Sequence, residues 1–347
     1  MKKSLFLFIA FASILFSSCS SDYTILESIG STILTADSSV KTINEDITFT
    51  VKDNDGNDLT AEATIYVDGS AIEGNTYTSA TVGEFEVTAK YSGITSEPLT
   101  VRFHDGSEVI FNRRVLIEDY TGTWCGYCPR VSYGLELLKE QSDNVVAVAI
   151  HRATLNTSSD NYDPYTFDST ELENFINVPG YPKGLVNRIT QWDYPEPNNL
   201  NQVISLTQGD PGLGLAMKTV VEGNNISLDV KVKFSTNHTG LKLVVYVLEN
   251  GLVYEQTNYT DYYDSEDHIY DFVHDHVLRE SFTNLLGDAI DSSNTGQTFT
   301  RSFNQSVPTT VEDATKLEFV AFVIDADGNA INVRSAHIGE DQEFEEL

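Results

Sequence analysis

The sequence is poor in cysteine. Only three are present in 347 residues, Cys19, Cys125 and Cys128. So few cannot weave a network of structural disulfides, and the fold must stand on hydrophobic cores. The chain is also poor in basic residues: 21 Lys and Arg stand against 52 Asp and Glu, a formal charge of −31. That excludes general nucleic-acid binding, which needs a basic face to displace counterions from phosphates. It argues equally against docking by charge on an anionic lipid surface. No apolar run approaches the about 20 residues a helix needs to span a bilayer. What the chain does have is 40% hydrophobic and 11% aromatic residues, regularly patterned, enough to bury real cores and to exclude general disorder.

The N-terminus opens Met1-Lys2-Lys3, continues with an apolar run from Leu5 to Phe16, and reaches Ser17-Ser18-Cys19. A basic start, a short apolar stretch and small residues before a cut describe an export signal. A cysteine directly after the small residues resembles the bacterial lipoprotein signal, in which the thiol is lipidated and becomes the first residue. This predicts a signal peptide over 1–18 and a lipidated tether over 19–27, with Cys19 as the membrane anchor. Ser20-Ser21-Asp22 behind it resembles the acidic sorting tails of surface lipoproteins in Bacteroidetes. Lipidation leaves two cysteines in the folded protein.

Residues 28–105 read as a small all-β unit. Asp46-Ile47-Thr48-Phe49-Thr50-Val51 alternates, Asp53-Asn54-Asp55-Gly56-Asn57 is a tight turn, and further strands follow at Ala63–Val67, Gly83–Ala89 and Glu97–Val101. The unit resembles a bacterial immunoglobulin-like domain. The Asp-rich turn is read as a hairpin, because Thr64 stands where a calcium loop needs Glu. Residues 106–209 alternate strands and helices: strands at Arg114–Glu118, Asn144–Ile150 and Gly184–Arg188, helices at Val131–Lys139, Asp168–Phe175 and Asn199–Thr207. That alternation implies an α/β unit. Residues 210–347 return to strands, with a polar insertion at Asn258–Asp267 and a helix expected near Tyr270–Leu286, and read as a second β-sandwich. Nine Asp, Glu and His residues crowd between Asp261 and His276. His274 and His276 would share a metal only on a strand, and the favoured reading is a solvated helix entry. His151 reads as a strand-end residue.

The chemistry concentrates in Thr121-Gly122-Thr123-Trp124-Cys125-Gly126-Tyr127-Cys128-Pro129, between a buried strand and a helix. A Cys-x-x-Cys there puts the first sulfur at a helix N-terminus, where free N–H groups and the helix dipole favour the attacking thiolate. Cys125 is expected to be the exposed nucleophile and Cys128 the buried resolving thiol, with Pro129 starting the helix at no cost in donors. A purely structural disulfide closes too short a loop to constrain the unfolded chain much. A zinc site lacks the other half of its ligands.

Trp-Cys-Gly-Tyr-Cys-Pro after a strand resembles the thioredoxin superfamily. That resemblance implies a cis-proline opposite the cysteines, with Pro182 as the candidate and Pro179 as its rival. It implies a substrate groove flanked by Trp124, Tyr127 and Tyr181. It also implies a buried acid that takes a proton from the resolving thiol, Glu118 or Asp119. Only one of these neighbours can face inward, and the strand pattern favours Glu118. A second resemblance runs from Val115 to the C-terminus. Glu118-Asp119-Tyr120-Thr121-Gly122, Gly180-Tyr181-Pro182 through Asn187-Arg188, and His276-Val277-Leu278-Arg279 are similar to the Omp28-related outer-membrane lipoproteins.

The sequence therefore predicts a multidomain α+β chain made of an immunoglobulin-like β-sandwich, a thioredoxin-like α/β domain and a C-terminal β-sandwich. It predicts an outer-membrane lipoprotein, periplasmic or surface-exposed, that needs no cofactor and exchanges thiols and disulfides with exported proteins. The alternative is a lipoprotein that binds glycan or protein partners on the same scaffold.

Overall fold

The computed structural model describes residues 31–347 except 107, 153–154 and 178–179. The export signal and Cys19 lie outside the described residues, as does Pro179.

The N-terminal part is built from alternation. In Asp46–Lys52, Ile47, Phe49 and Val51 turn inward and the residues between them outward, as a half-buried strand requires. A three-stranded sheet of Ile33–Ala36, Asp46–Lys52 and Thr76–Thr78 faces a sheet built around Gly83–Tyr91 and Leu99–His104. Val87, Val101 and Phe103 complete the core between them. This unit is tied to the rest through Ile33, which joins the next core, and through bonds from Asn54 Nδ2 to Asn198 O (2.9 Å) and from Gly209 N to Ser39 Oγ (3.1 Å).

The rest of the chain is organised by one long mixed sheet. Its first strand, β1 (Val115–Thr121), is buried along its whole length. After it come α1 (Pro129–Gln141), β2 (Val145–His151), α2 (Thr170–Ile176), β3 (Lys183–Val186), β4 (Thr190–Gln191) and α3 (Leu200–Ile204). β1 and β2 run parallel through the α1 crossover, and β3 returns antiparallel on the other side of β1. Val115 and Ile117 face α1 and α3, while Leu116 and Tyr120 face α2, so both faces of β1 are covered.

The C-terminal strands are β5 (Leu213–Glu222), β6 (Asn225–Phe234), β7 (Lys242–Glu249), β8 (Leu252–Thr257), β9 (His268–His274), β10 (Val277–Ser281), β11 (Thr298–Ser306), β12 (Leu317–Ile324) and β13 (Ala330–His337). The long sheet is ordered β4-β3-β1-β2-β10-β7-β12-β13, with Asp288–Ala289 also pairing with β7. The separate antiparallel sheet β5-β6-β11 packs Leu215, Leu228 and Val230 against Val245 and Phe319 of the long sheet.

Two expectations are corrected here. The expected fold class, multidomain α+β with a thioredoxin-like α/β domain over 106–209, does not hold. Strand accounts for 44% of the structure and helix for 12%, and α1, α2 and α3 have only 13, 7 and 5 residues. The strands of 115–191 form no sheet of their own, because β2 pairs with β10, where Ala149 N donates to His276 O at 2.8 Å. A bare edge on β2 would leave a row of unpaired backbone groups, and a strand from more than a hundred residues away fills it. The helix expected near Tyr270–Leu286 is instead β9 and β10. β9 pairs antiparallel with β8, a partner that no local window contains, and pairing overrides the helical spacing.

Candidate functional site at the Cys125–Cys128 loop

The loop between β1 and α1 carries both cysteines. They are joined in a disulfide with an S–S distance of 2.01 Å and Cα atoms 5.4 Å apart. Cys128 is the N-cap of α1 and Pro129 opens the helix. Asp163 pins the loop from below. Its Oδ2 accepts from Thr123 N at 2.8 Å and lies 2.8 Å from His151 Nδ1, while Oδ1 accepts from Tyr165 N at 2.8 Å. Burial works against the Asp163 carboxylate, but His151 and these N–H donors outweigh it and hold its pKa below the usual value. Trp124 Nε1 donates to Arg152 O at 2.9 Å, and its ring lies 5.9 Å from Tyr181. The Tyr181–Pro182 bond is cis, as is Tyr194–Pro195.

Cys125 is not the exposed thiol that the sequence led us to expect. Its relative exposure is 4%, against 1% for Cys128. The cover is the end of β8 and the polar insertion behind it. Thr257 N donates to Thr123 O at 2.9 Å, and Tyr259 N to Gly126 O at 2.6 Å. Gln256 Nε2 donates to Cys125 O at 3.0 Å. Tyr259 meets Tyr127 edge-on with centroids 5.8 Å apart, and Tyr262 stacks on Tyr133 of α1 at 4.6 Å. Tyr263 donates to Glu136 Oε1 at 2.8 Å. This strap turns back through Tyr263, Asp264 and Ser265, with φ of 55°, 60° and 57°, a left-handed run that non-glycine residues adopt only at a cost.

Gly126 lets the strap close, since a Cβ there would sit 2.3 Å from the Tyr259 ring. Gly126→Ala should therefore push Tyr259 away and speed reduction of the disulfide by dithiothreitol about three- to tenfold, the worth of one lost aromatic contact. Tyr259→Ala should do the same without touching the loop. A thiol-release time course checks this, and unchanged rates in both variants would show that the strap is no barrier.

Glu118 and Asp119 are both buried but on opposite faces. Glu118 shares the α2 face with Leu116 and Tyr120. There its Oε1 lies 3.3 Å from Arg188 Nε and its Oε2 accepts from Tyr120 at 3.2 Å. Asp119 lies on the α1 face, beneath the helix that the cysteines start. Its Oδ1 has no hydrogen-bond partner among the described residues. Burial, reinforced by Glu196 and opposed by Arg130, pushes its pKa well above the usual carboxylate range. The strand pattern favoured Glu118, yet the acid on the cysteine helix's face is Asp119. Sequence reasoning missed Asp163, whose signal was the turn-forming Asp163-Pro164 pair. It also missed Gln256 and Tyr259, for which no local signal existed.

The family model described as Outer membrane protein Omp28 matches residues 169–342, half of the chain. The chain belongs to the Omp28 family. That makes it an outer-membrane protein. The Omp28 match starts C-terminal to the cysteine pair, so it spans α2, β3 and every later strand, including the strap. Among solved structures, the Omp28-family chain is similar to HBP35 of Porphyromonas gingivalis, with a TM-score of 0.50 and 18% identity over 67% of this chain and 77% of that one. At that identity the likeness is one of fold. A domain of the outer membrane lipoprotein Omp28 from Porphyromonas gingivalis aligns with a TM-score of 0.25 and 17% identity, over 38% of this chain and 91% of that one. No curated protein matches.

Proposed function

We propose that this Omp28-family protein is held at the outer membrane by a lipid on Cys19 and exchanges thiols and disulfides with exported proteins through Cys125 and Cys128. The observation that carries the reading is the closed Cys125–Cys128 disulfide at the junction of a buried strand and a helix N-terminus, with Cys128 as the N-cap. In this oxidised form the pair accepts two electrons from a substrate dithiol. One substrate thiolate attacks a loop sulfur, the loop disulfide breaks, and the second substrate thiolate then displaces the loop sulfur to leave an oxidised substrate and a reduced pair. In the reverse direction Cys125 attacks a substrate disulfide and Cys128 resolves the mixed one. Asp119 is the acid on the face of α1 that takes or returns the Cys128 proton, and Trp124, Tyr127, Tyr181 and Pro182 border the approach.

Trapping tests the reading on the full mature chain. Cys128→Ala expressed in the native host should accumulate mixed disulfides through Cys125, seen as thiol-sensitive high-mass bands on non-reducing gels. Cys125→Ser should show none. Absence of adducts in Cys128→Ala, together with no catalysis of insulin reduction by the wild-type chain, would reject thiol exchange and leave the cysteine loop as a structural clip.

A further inference from the structure

A cavity of about 440 Å³ opens between α1 and the β8–β9 hairpin, over the C-terminal end of β1 and the length of β2, with Glu318 of β12 and Ser335 of β13 at its side. Leu135, Ala147 and Phe272 give it apolar walls. Two residues that line it each carry a buried polar atom with no hydrogen-bond partner among the described residues, Asp119 at Oδ1 and His274 at Nε2. These residues are only 2% and 5% exposed. Buried polar atoms in native proteins are nearly always bonded, so a pair of orphans on residues that line one cavity calls for an occupant.

The occupant's chemistry follows from what the cavity offers. The Tyr254 backbone beside the His274 ring favours an N–H on that side, and in that tautomer the unpartnered Nε2 presents a lone pair. Burial, with His151 beside it, pushes the His274 pKa down to about 3, so the ring is neutral and remains an acceptor. Asp143 adds a carboxylate to the lining, as do Glu136, Asp275 and Glu318, which are engaged by Tyr263, Gly251 N and His276, while Lys139 is the lone lysine or arginine there. Acceptors and negative charge reject an anion and select a donor of N–H groups. No group of three metal-ligating side chains occurs among the described residues. The volume suits a small organic molecule, and mixed apolar and polar walls are usual for such sites.

We propose that this cavity binds a small organic cation, an ammonium or guanidinium carried on a short apolar body. The charged head reaches His274 Nε2 and Asp119, and the body lies against Leu135, Ala147 and Phe272. A cation beside Asp119 would also favour its ionised carboxylate, the carboxyl proton passing to solvent. This goes beyond thiol exchange. Because Asp119 belongs to both readings, the test turns on His274 and Ala147, and calorimetry reads binding without any redox step.

Phenethylammonium and agmatine are titrated into the full mature chain, beside 2-phenylethanol and phenylacetate as neutral and anionic counterparts. At least one cation should bind, the alcohol and the carboxylate should be weaker by about tenfold or more, and His274→Phe should cost the cation about tenfold. Ala147→Phe fills the cavity from a half-exposed strand position and should abolish binding, which keeps the test decisive if His274→Phe folds poorly. No binding of either cation, equal binding of the alcohol or carboxylate, or cation binding that Ala147→Phe leaves unchanged would overturn the proposal.

Discussion

Replacing Arg188 by methionine should lower the stability of the protein by about 3–5 kcal/mol, the usual cost of removing one partner from a buried ion pair. Arg188 and Glu118 are both fully buried, with Nε and Oε1 3.3 Å apart. Arg188 Nη2 also donates to Tyr246 at 2.5 Å, and its guanidinium lies over the Phe322 ring, 4.9 Å from the centroid. The pair joins β1 to β7 and β12 across the α2 face of the long sheet. Burial already raises the Glu118 pKa, and Arg188 is the main influence pulling it back down. Without Arg188 the carboxyl must fold protonated, so the loss should grow as pH rises above the ordinary carboxylate range. Adding Glu118→Gln should recover most of the loss, because no charge is then left buried without a partner. Urea unfolding of the single and double variants checks this. A midpoint for Arg188→Met equal to wild type, with unchanged m-value, would show that the pair holds nothing.

The second large effect is acid lability through His274. Its ring is buried against His151, with centroids 5.2 Å apart, and is packed by Tyr165 and Phe272. The charged and titratable groups around it are His151 and Asp163. Its pKa of about 3 when folded lies far below the unfolded value of 6.5. The unfolded chain therefore binds the extra proton between those limits, and folding loses stability as pH falls through that window. Each pH unit shifts the unfolding equilibrium by about tenfold from this one group. Asp119 and Glu118, whose pKa values are raised, work in the opposite sense, so the wild-type profile is a sum. The difference between wild type and His274→Phe isolates the histidine. The variant should lose its stability more shallowly from pH 6.5 downward, read by chemical denaturation at a series of pH values. Parallel profiles would mean that His274 takes up no less proton folded than unfolded.

Much of the local architecture was legible because it depends on near neighbours. Alternation in Asp46–Val51, the apolar runs of β1 and β2 and the Cys-x-x-Cys-Pro junction each contain their own instructions: side-chain period, burial on two faces, and a proline suited to the first helical turn. The buried acid was legible only as a pair. Glu118 and Asp119 are adjacent, and which one lies under α1 depends on how that helix packs on the strand. The strap was not legible at all. Asn258–Asp267 is polar and aperiodic, and its role as a cover comes from the backbone bond of Tyr259 to Gly126, beside that of Thr257 to Thr123, more than a hundred residues away.

By itself, then, the sequence determined an acidic, exported, cysteine-poor chain with one Cys-x-x-Cys pair set between strand and helix. These properties are sums over composition or rules that act within a few residues. Only the tertiary structure decided that the strands around that pair continue into the C-terminal sheet, that Asp119 rather than Glu118 lies on the cysteine helix's face, and that both sulfurs are covered. Each of those outcomes is set by strand pairing and packing between distant segments. The side-chain period within one strand is silent about what will be laid against it.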